Sequence, residues 1–402
     1  MATRYDLNSQ AFINNPYPTY ERLLADDAVY WDEEHHEWYV SGYDDVIRLF
    51  KDPRLSSNRL ESAARSLSSD GRQTVQPLME TLARWVLFFD PPLHTPLRKA
   101  INRALTLRLI TQMTPHIQAL TEELIDCVYA QGRMDIIRDL AYPLPAIVIA
   151  EMLGARPEDR DQLKRWSDDI ARFLGTKTTS DVAVQIQDSV LALIEYLRHV
   201  LERHRAEPMD NLMGSLLAFQ HQHRSLTDAD LLANCAGLIF AGHETTTNLI
   251  ANGVLTLLRH PAQRDVLQRD PALINRAVEE CLRYESPVQR LGRISREDID
   301  LGTARIQQGQ LILLLIGATN RDPKVFENPN AFDITRQDNP HLAFGYGIHL
   351  CPGAALGRLE AQLAINTVLR RLQLLTPVLE KPQWQYNLSL RTLEALPVTF
   401  AP

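Results

Sequence analysis

Residues 344–353 read Phe-Gly-Tyr-Gly-Ile-His-Leu-Cys-Pro-Gly. Gly345 and Gly347 permit tight turns that a side chain would obstruct. Pro352 suits the first position of a helix, and the residues from Ala354 to Leu363 have the periodicity of an amphipathic helix. Cys351 therefore stands where a glycine-rich loop runs into a helix. Free amides at such a junction lower a thiol's pKa, and the thiolate is the form that binds metal. Hydrogen bonds from loop amides to the sulfur would tune it further. Taken alone, a single cysteine is more often a small buried hydrophobe than a ligand.

A second stretch with chemical potential is Ala241-Gly242-His243-Glu244-Thr245-Thr246. It lies inside a helix that Thr227 and Asp228 begin and that runs to His260, before Pro261. That helix is apolar on nearly every side from Leu231 to Phe240, so it should be central and buried. Glycine, a carboxylate and paired threonines are poor choices there. Such local violations are expected at functional sites, although a simple kink or a solvated glutamate would also account for them. Thr245 can bond back to the Ala241 carbonyl and bend the helix.

Two charged pairs complete the set. His94 and Arg98 lie four apart after Phe89-Asp90-Pro91-Pro92, and Glu280 and Arg283 lie three apart. Each pair shares a helix face. Each is also compatible with an ordinary solvated surface.

Together, and in this order, these stretches resemble the motifs of the cytochromes P450. The Phe-Gly-x-Gly-x-His-x-Cys-x-Gly run resembles the haem-binding loop, which implies that Cys351 is the axial thiolate of a haem iron. A thiolate pushes electron density onto iron and favours O–O cleavage. The resemblance implies haem b (iron protoporphyrin IX) as cofactor, with His94, Arg98, Arg293 and His349 at its propionates and Ala241, Phe344 and Gly345 beside it. Bidentate arginine suits a carboxylate. It assigns Glu244 and Thr245 to oxygen activation. Glu280 and Arg283, with Arg336 downstream, become a structural cluster. Gly237, Phe240, Ala241, Gln289, Leu291 and Leu393 fall at substrate-pocket positions. Thr392 stands where the family often has glycine, in a final pocket-lining loop.

The rest of the chain must position these residues. It has 402 residues, 45% of them hydrophobic, a formal net charge of -8 and no sign of a nucleic-acid partner. Cys127, Cys235, Cys281 and Cys351 have no paired spacing, so neither a disulfide framework nor a zinc site is indicated. The N-terminus lacks a signal peptide's apolar run, and no stretch reaches about 18 uninterrupted apolar residues. The expectation is a soluble, cytoplasmic, monomeric protein.

Helices are expected over Pro16–Asp26, Gly42–Lys51, Leu109–Gln131, Leu140–Leu153, Pro157–Leu174, Asp181–Arg205 and Asn275–Tyr284. Short strands are expected at Ala28–Trp31, Glu37–Val40, Met134–Ile137 and Leu311–Ile316, with a hairpin over Ile299–Gln310. The polar segment Asp52–Arg84, with one helix expected after Gln76, reads as a mobile wall. Residues 175–180 read as a loop, either a plain helix connection or a hinge.

The fold class is thus mainly α with small β-sheets, a cytochrome P450 fold in a single domain spanning 1–402. The implied activity is monooxygenation of a lipophilic small molecule (a natural product, terpenoid, steroid or fatty acid) with O2. Electrons would come from a separate ferredoxin and ferredoxin reductase; Lys99, Arg103 and Arg358 either steer that ferredoxin or form an ordinary solvated basic face. The rival readings are a peroxide-driven haem enzyme and a non-catalytic haem-binding protein. The Glu244–Thr245 pair argues against the first, and a carboxylate inside a buried helix against the second.

Overall fold

The computed structural model describes residues 4–60, 69–159, 161–163, 165, 166, 169, 180–222 and 226–402. The chain divides into two compact units. The first comprises Met1–Leu55, Pro115–Leu144 and Thr245–Pro402, and the second Ser56–Thr114 and Pro145–Glu244.

The first unit contains the main sheet. Strands β1 (Val29–Asp32) and β2 (Glu37–Val40) form a hairpin. Next along the chain come β3 (Leu55–Ser56), β4 (Arg133–Asp135), β5 (Leu291–Ser295), β6 (Ile299–Asp300), β7 (Arg305–Ile306), β8 (Leu311–Leu314), β9 (Gln373–Pro377) and β10 (Pro397–Ala401). The sheet order is β1-β2-β8-β5-β3, with β2 parallel to β8 and β5 antiparallel to it. Trp38, Val40, Ile312 and Leu314 face a core that includes Val46, Leu49 and Phe50. Tyr39 and Leu313 face another, built on Tyr5, Phe12, Tyr20 and Leu23. Cover on both faces explains why Leu311–Leu314 is a continuous apolar run rather than an alternating one. The smaller sheets are β4-β10-β9 and β6-β7.

The second unit is helical, and its pairs can be named. Helix His94–Ala104 packs on Leu212–Gln222, and Gln76–Leu82 on Ser180–Ala206. Gln187 Oε1 accepts from the Leu78 N–H at 3.2 Å in the second contact.

Prolines and caps explain most departures from the expected elements. Leu109–Gln131 is two helices, Leu107–Gln112 and Thr114–Tyr129. Pro115 disfavours helical backbone at the residue before it and brings no N–H of its own. Leu140–Leu153 is a π-turn over Ile137–Ala141 followed by Pro143–Met152. Helix Leu212–Gln222 was not anticipated. Its signal is Asn211, whose side-chain oxygen accepts from the Gly214 N–H at 3.0 Å as an N-cap does.

Within Asp52–Arg84 the chain forms β3 and helices Ser69–Thr74 and Gln76–Leu82. Residues 61–68 of that wall, 175–179 of the loop and much of the Pro157–Leu174 helix lie outside the described residues. Among the described residues, no helix is long and apolar enough to cross a membrane.

Candidate active site

The cysteine loop belongs to the first unit. Gly345 and Gly347 take φ values of +72° and +73°, a region L-residues rarely adopt. A Cβ on Gly347 would also come within 3.1 Å of the Phe50 carbonyl oxygen. The loop closes on itself: the Cys351 N–H donates to the Phe344 carbonyl at 2.9 Å. His349 ends a 3-10 turn, Gly347–His349, and helix Ala354–Arg371 follows Gly353.

Cys351 is half-buried, whereas Cys235 and Cys281 are fully buried. Burial pushes the Cys235 thiol up to about 12 and raises that of Cys281 further. Both therefore stay protonated and make poor metal ligands. Cys127 is exposed on helix Thr114–Tyr129, without a comparable loop.

Upstream of the loop, Glu280 gathers its neighbours. Arg283 donates to it twice, from Nε at 2.8 Å and from Nη2 at 2.7 Å. Arg336 Nε and Asn339 Nδ2 each reach it at 3.2 Å, and the Asp333 N–H at 2.9 Å. The remaining Arg283 donors go to the carbonyls of Asn320, Pro329 and Ala331 at 3.1, 2.7 and 2.8 Å. Asn320 in turn accepts from the Leu342 N–H at 2.7 Å, just before the loop. Glu280, Arg283 and Arg336 are thus brought together, and the segment leading to Phe344 hangs from them.

The long helix, Asp228–Arg259, stays α-helical through Ala241–Thr246. No opening of its backbone accompanies Gly242. That glycine has a packing reason instead: a Cβ there would lie 3.2 Å from Ile149 Cγ1. Gly237 has a similar one, because the Trp85 indole lies over it, 3.1 Å from where a Cβ would sit. Trp85 also stacks on Phe240 at 5.8 Å and on Phe88 at 6.3 Å. Asn234 fixes that segment by accepting from the Val86 N–H at 2.8 Å and donating to the Arg84 carbonyl at 2.7 Å. Trp85 thus covers Gly237 within a buried aromatic cluster, a partner that sequence reasoning missed. The signal was the small residue: a glycine one turn before Phe240 on a buried helix leaves room for an aromatic ring.

Glu244 and Thr245 are half-buried and Ala241 is exposed, while His243 and Thr246 are buried. In the first unit, a Cβ on Gly357 of the cysteine helix would lie 3.4 Å from Thr246 Oγ1. This glycine lets the two helices approach closely.

His94 opens helix His94–Ala104 in the second unit, with Arg98 one turn on. Burial first, and the Arg98 charge second, hold the His94 ring below the usual imidazole range. Arg293 lies on β5 in the first unit, nearly buried, with its guanidinium 5.5 Å from the Phe50 ring centre.

The three remaining pocket positions have different surroundings. Gln289 is a buried strut: it donates to the Ser286 carbonyl at 2.7 Å and accepts from the Tyr20 hydroxyl at 3.1 Å. Leu393 is buried, bridged to Trp384. Leu291 Cδ1 sits 3.9 Å from where a Cβ on Gly345 would be. Beside Leu393, the Thr392 hydroxyl accepts from Asn248 at 3.0 Å and the Arg391 carbonyl from Asn252 at 2.9 Å. Threonine at 392 thus ties its loop to the long helix.

The family model for cytochrome P450 matches residues 51–397. The chain belongs to the cytochrome P450 family. The biotin biosynthesis cytochrome P450 of Bacillus subtilis (strain 168) is 38% identical over 98% of each chain. The vitamin D(3) 25-hydroxylase of Pseudonocardia autotrophica is 36% identical over 99% of this chain and 97% of its own. Among solved structures, P450BioI in complex with hexadec-9Z-enoic acid ligated acyl carrier protein superposes with a TM-score of 0.90. It is 37% identical, with 98% of this chain and 99% of that chain covered.

This P450 is accordingly a haem b monooxygenase. The donors present fit the cofactor. Haem needs an axial donor for iron and cations for its propionates. The half-buried thiol of Cys351 sits on a glycine loop, and Arg293 offers a guanidinium of low exposure in the same unit.

Proposed function

We propose that this P450 oxidises a lipophilic substrate, with a fatty-acyl chain the first candidate, using electrons from a ferredoxin and its reductase. The observation that carries the substrate reading is the full-length likeness to P450BioI, whose structure holds an acyl chain on its carrier protein. We read the whole chain as one P450 domain, a cytoplasmic monomer.

In this reading Cys351 holds the iron. His94, Arg98, Arg293 and His349 hold the propionates, and Ala241, Phe344 and Gly345 border the macrocycle. When bound, haem supplies the redox centre at which O2 is reduced and one of its atoms passes to the substrate. The chain's own part is to hold that centre and move protons. Thr245 Oγ1 can donate a proton while accepting another from water, and the Glu244 carboxylate replenishes it. Lys99 and Arg103, both exposed and one turn apart on helix His94–Ala104, remain candidates for steering an acidic ferredoxin. Arg358 is not equivalent to them, because its guanidinium is paired with Glu279.

The test supplies NADPH, ferredoxin and reductase, or peroxide alone, with a panel of fatty acids and acyl carrier protein thioesters. Oxygenated product from the redox chain is expected, carrying label from 18O2. Product from peroxide only would replace this reading with a peroxide-driven enzyme. Haem loading without product under either condition would favour a non-catalytic haem protein.

In the same assay Thr245→Ala should keep haem and substrate binding and go on consuming NADPH, releasing peroxide in place of product. Glu244→Gln should slow turnover and enlarge the solvent isotope effect. Parent-like coupling in Thr245→Ala, with a substrate lacking a hydroxyl near the oxidised carbon, would remove the relay.

Arg98→Ala and Arg293→Ala should each release haem faster. Hydrogen bonds to charged groups contribute roughly 1.5–3 kcal/mol each, so retention weakens without vanishing. Transfer of haem to apomyoglobin measures the rate, and unchanged rates would remove the propionate assignment.

A further inference from the structure

Glu279, next to the Glu280 hub, faces elsewhere. Successive residues on a helix point about 100° apart, so Glu279 turns from the Arg283 cluster toward the cysteine helix. Its carboxylate takes two hydrogen bonds from Arg358, from Nε at 2.6 Å and from Nη2 at 2.9 Å. The same carboxylate bonds His341 Nε2 at 3.0 Å. The Ala343 N–H donates to His341 Nδ1 at 3.3 Å, which leaves Nε2 as the donor to Glu279.

Both partners then meet one ring. The Arg358 guanidinium lies 4.4 Å from the centre of Phe344, and the His341 ring lies 6.2 Å from it. The Phe344 carbonyl is the group that accepts the Cys351 N–H. Burial works against charge on Glu279, but the hydrogen bonds from His341 and Arg358 outweigh it and bring the carboxyl down to about 2. The carboxylate is therefore ionised throughout the working pH range.

We propose that Glu279 is a positioning residue for the thiolate ligand, acting through Arg358 and His341 on Phe344 and through the Phe344 carbonyl on Cys351. Arg358 bridges the helix that carries Glu279 and the helix that follows Cys351. His341 ties the same carboxylate to the segment before the loop. Both ends of the loop are thereby referred to one anionic group. Arginine suits the task because its planar fork can meet a carboxylate in two places while its face lies on an aromatic ring. The proposal rests on Cys351 being the iron ligand.

The experiment uses the haem-loaded full chain in the ferrous carbonyl state. Two readouts are followed: the rate at which the thiolate band decays to the thiol-ligated form, and the iron midpoint potential. Glu279→Gln keeps the side chain's shape and removes its charge. Roughly 10-fold faster decay is expected, the lower end of the range for groups bonded directly to a metal ligand because Glu279 acts through intermediate side chains, together with a shifted potential. Arg358→Gln should do the same. The double variant should be no worse than the worse single one, because both act along one path.

Decay rate and potential at parent values in Glu279→Gln would overturn the proposal. So would additive effects in the double variant, which would mean two independent surface contributions. A parent protein with no thiolate band would instead remove the assignment of Cys351 and leave the role of Glu279 as a brace of the loop backbone only.

Discussion

Replacing Cys351 by serine or histidine should abolish the ferrous carbonyl band of thiolate-ligated haem completely. The size of the effect follows from the other cysteines as much as from this one. Cys235 and Cys281 are fully buried, and desolvation keeps both as thiols. Cys127 is exposed on a helix, with no loop of free amides around it. None can take over. Cys351 alone stands on a backbone bent by two left-handed glycines, with its N–H already engaged by Phe344. Cys127→Ser should accordingly leave the band untouched. A band that persisted in Cys351→Ala would sink the assignment, and with it the proposed geometry of the site.

Arg283→Ala should cost most of the folded holoprotein. Arg283 and Glu280 are both fully buried, and every donor of the guanidinium that the contacts describe is used inside the unit. Removing one partner of such a pair leaves an uncompensated buried charge, which costs about 3–5 kcal/mol. Whole domains are stable by only about 5–15 kcal/mol. Arg283→Lys should rescue little, because an ammonium cannot reproduce the fork or reach three carbonyls at once. Arg336→Ala should be milder, since Arg336 makes a single 3.2 Å contact to Glu280 and retains some exposure. Urea midpoints and haem-loaded yield measure both. A parent midpoint in Arg283→Ala would show that the cluster does not hold the fold.

The two expectations differ in what they test. Loss of Cys351 removes the proposed iron donor and should leave the polypeptide folded. Loss of Arg283 removes the support of the segment before the loop, so haem binding and folding should fail together. A variant that folds without the thiolate band and one that does not fold are separated by circular dichroism of the apoprotein.

Sequence alone determined the family of this protein and, with it, haem-dependent monooxygenation. The run from Phe344 to Gly353, the Glu244-Thr245 pair and the spaced His94 and Arg98 are local signals. Their meaning depends on residue type and offset, which survive without coordinates. The long helix and most short strands were legible for the same reason, because apolar periodicity is local. Proline breaks at 115 and 143 were written in the chain but outweighed in reading by the apolar run around them.

Tertiary structure decided what distant residues do to one another. Nothing in Gly-Leu-Ile-Phe at 237–240 names Trp85, about 150 residues earlier, as the ring that covers Gly237. Gly242 stood out as a poor helix residue, and the packing of Ile149 against it supplies the reason. The local sequence around Gln289 does not name Tyr20 as its hydrogen-bond partner. Arg358 looked like a cation for steering a redox partner, and Glu279 carried no sequence signal at all. Only the packing of their two helices joins them over Phe344. Charge and size are properties of a residue, but partnership is a property of the fold, because side chains far apart in sequence pair only where the packing of helices brings them within hydrogen-bond reach.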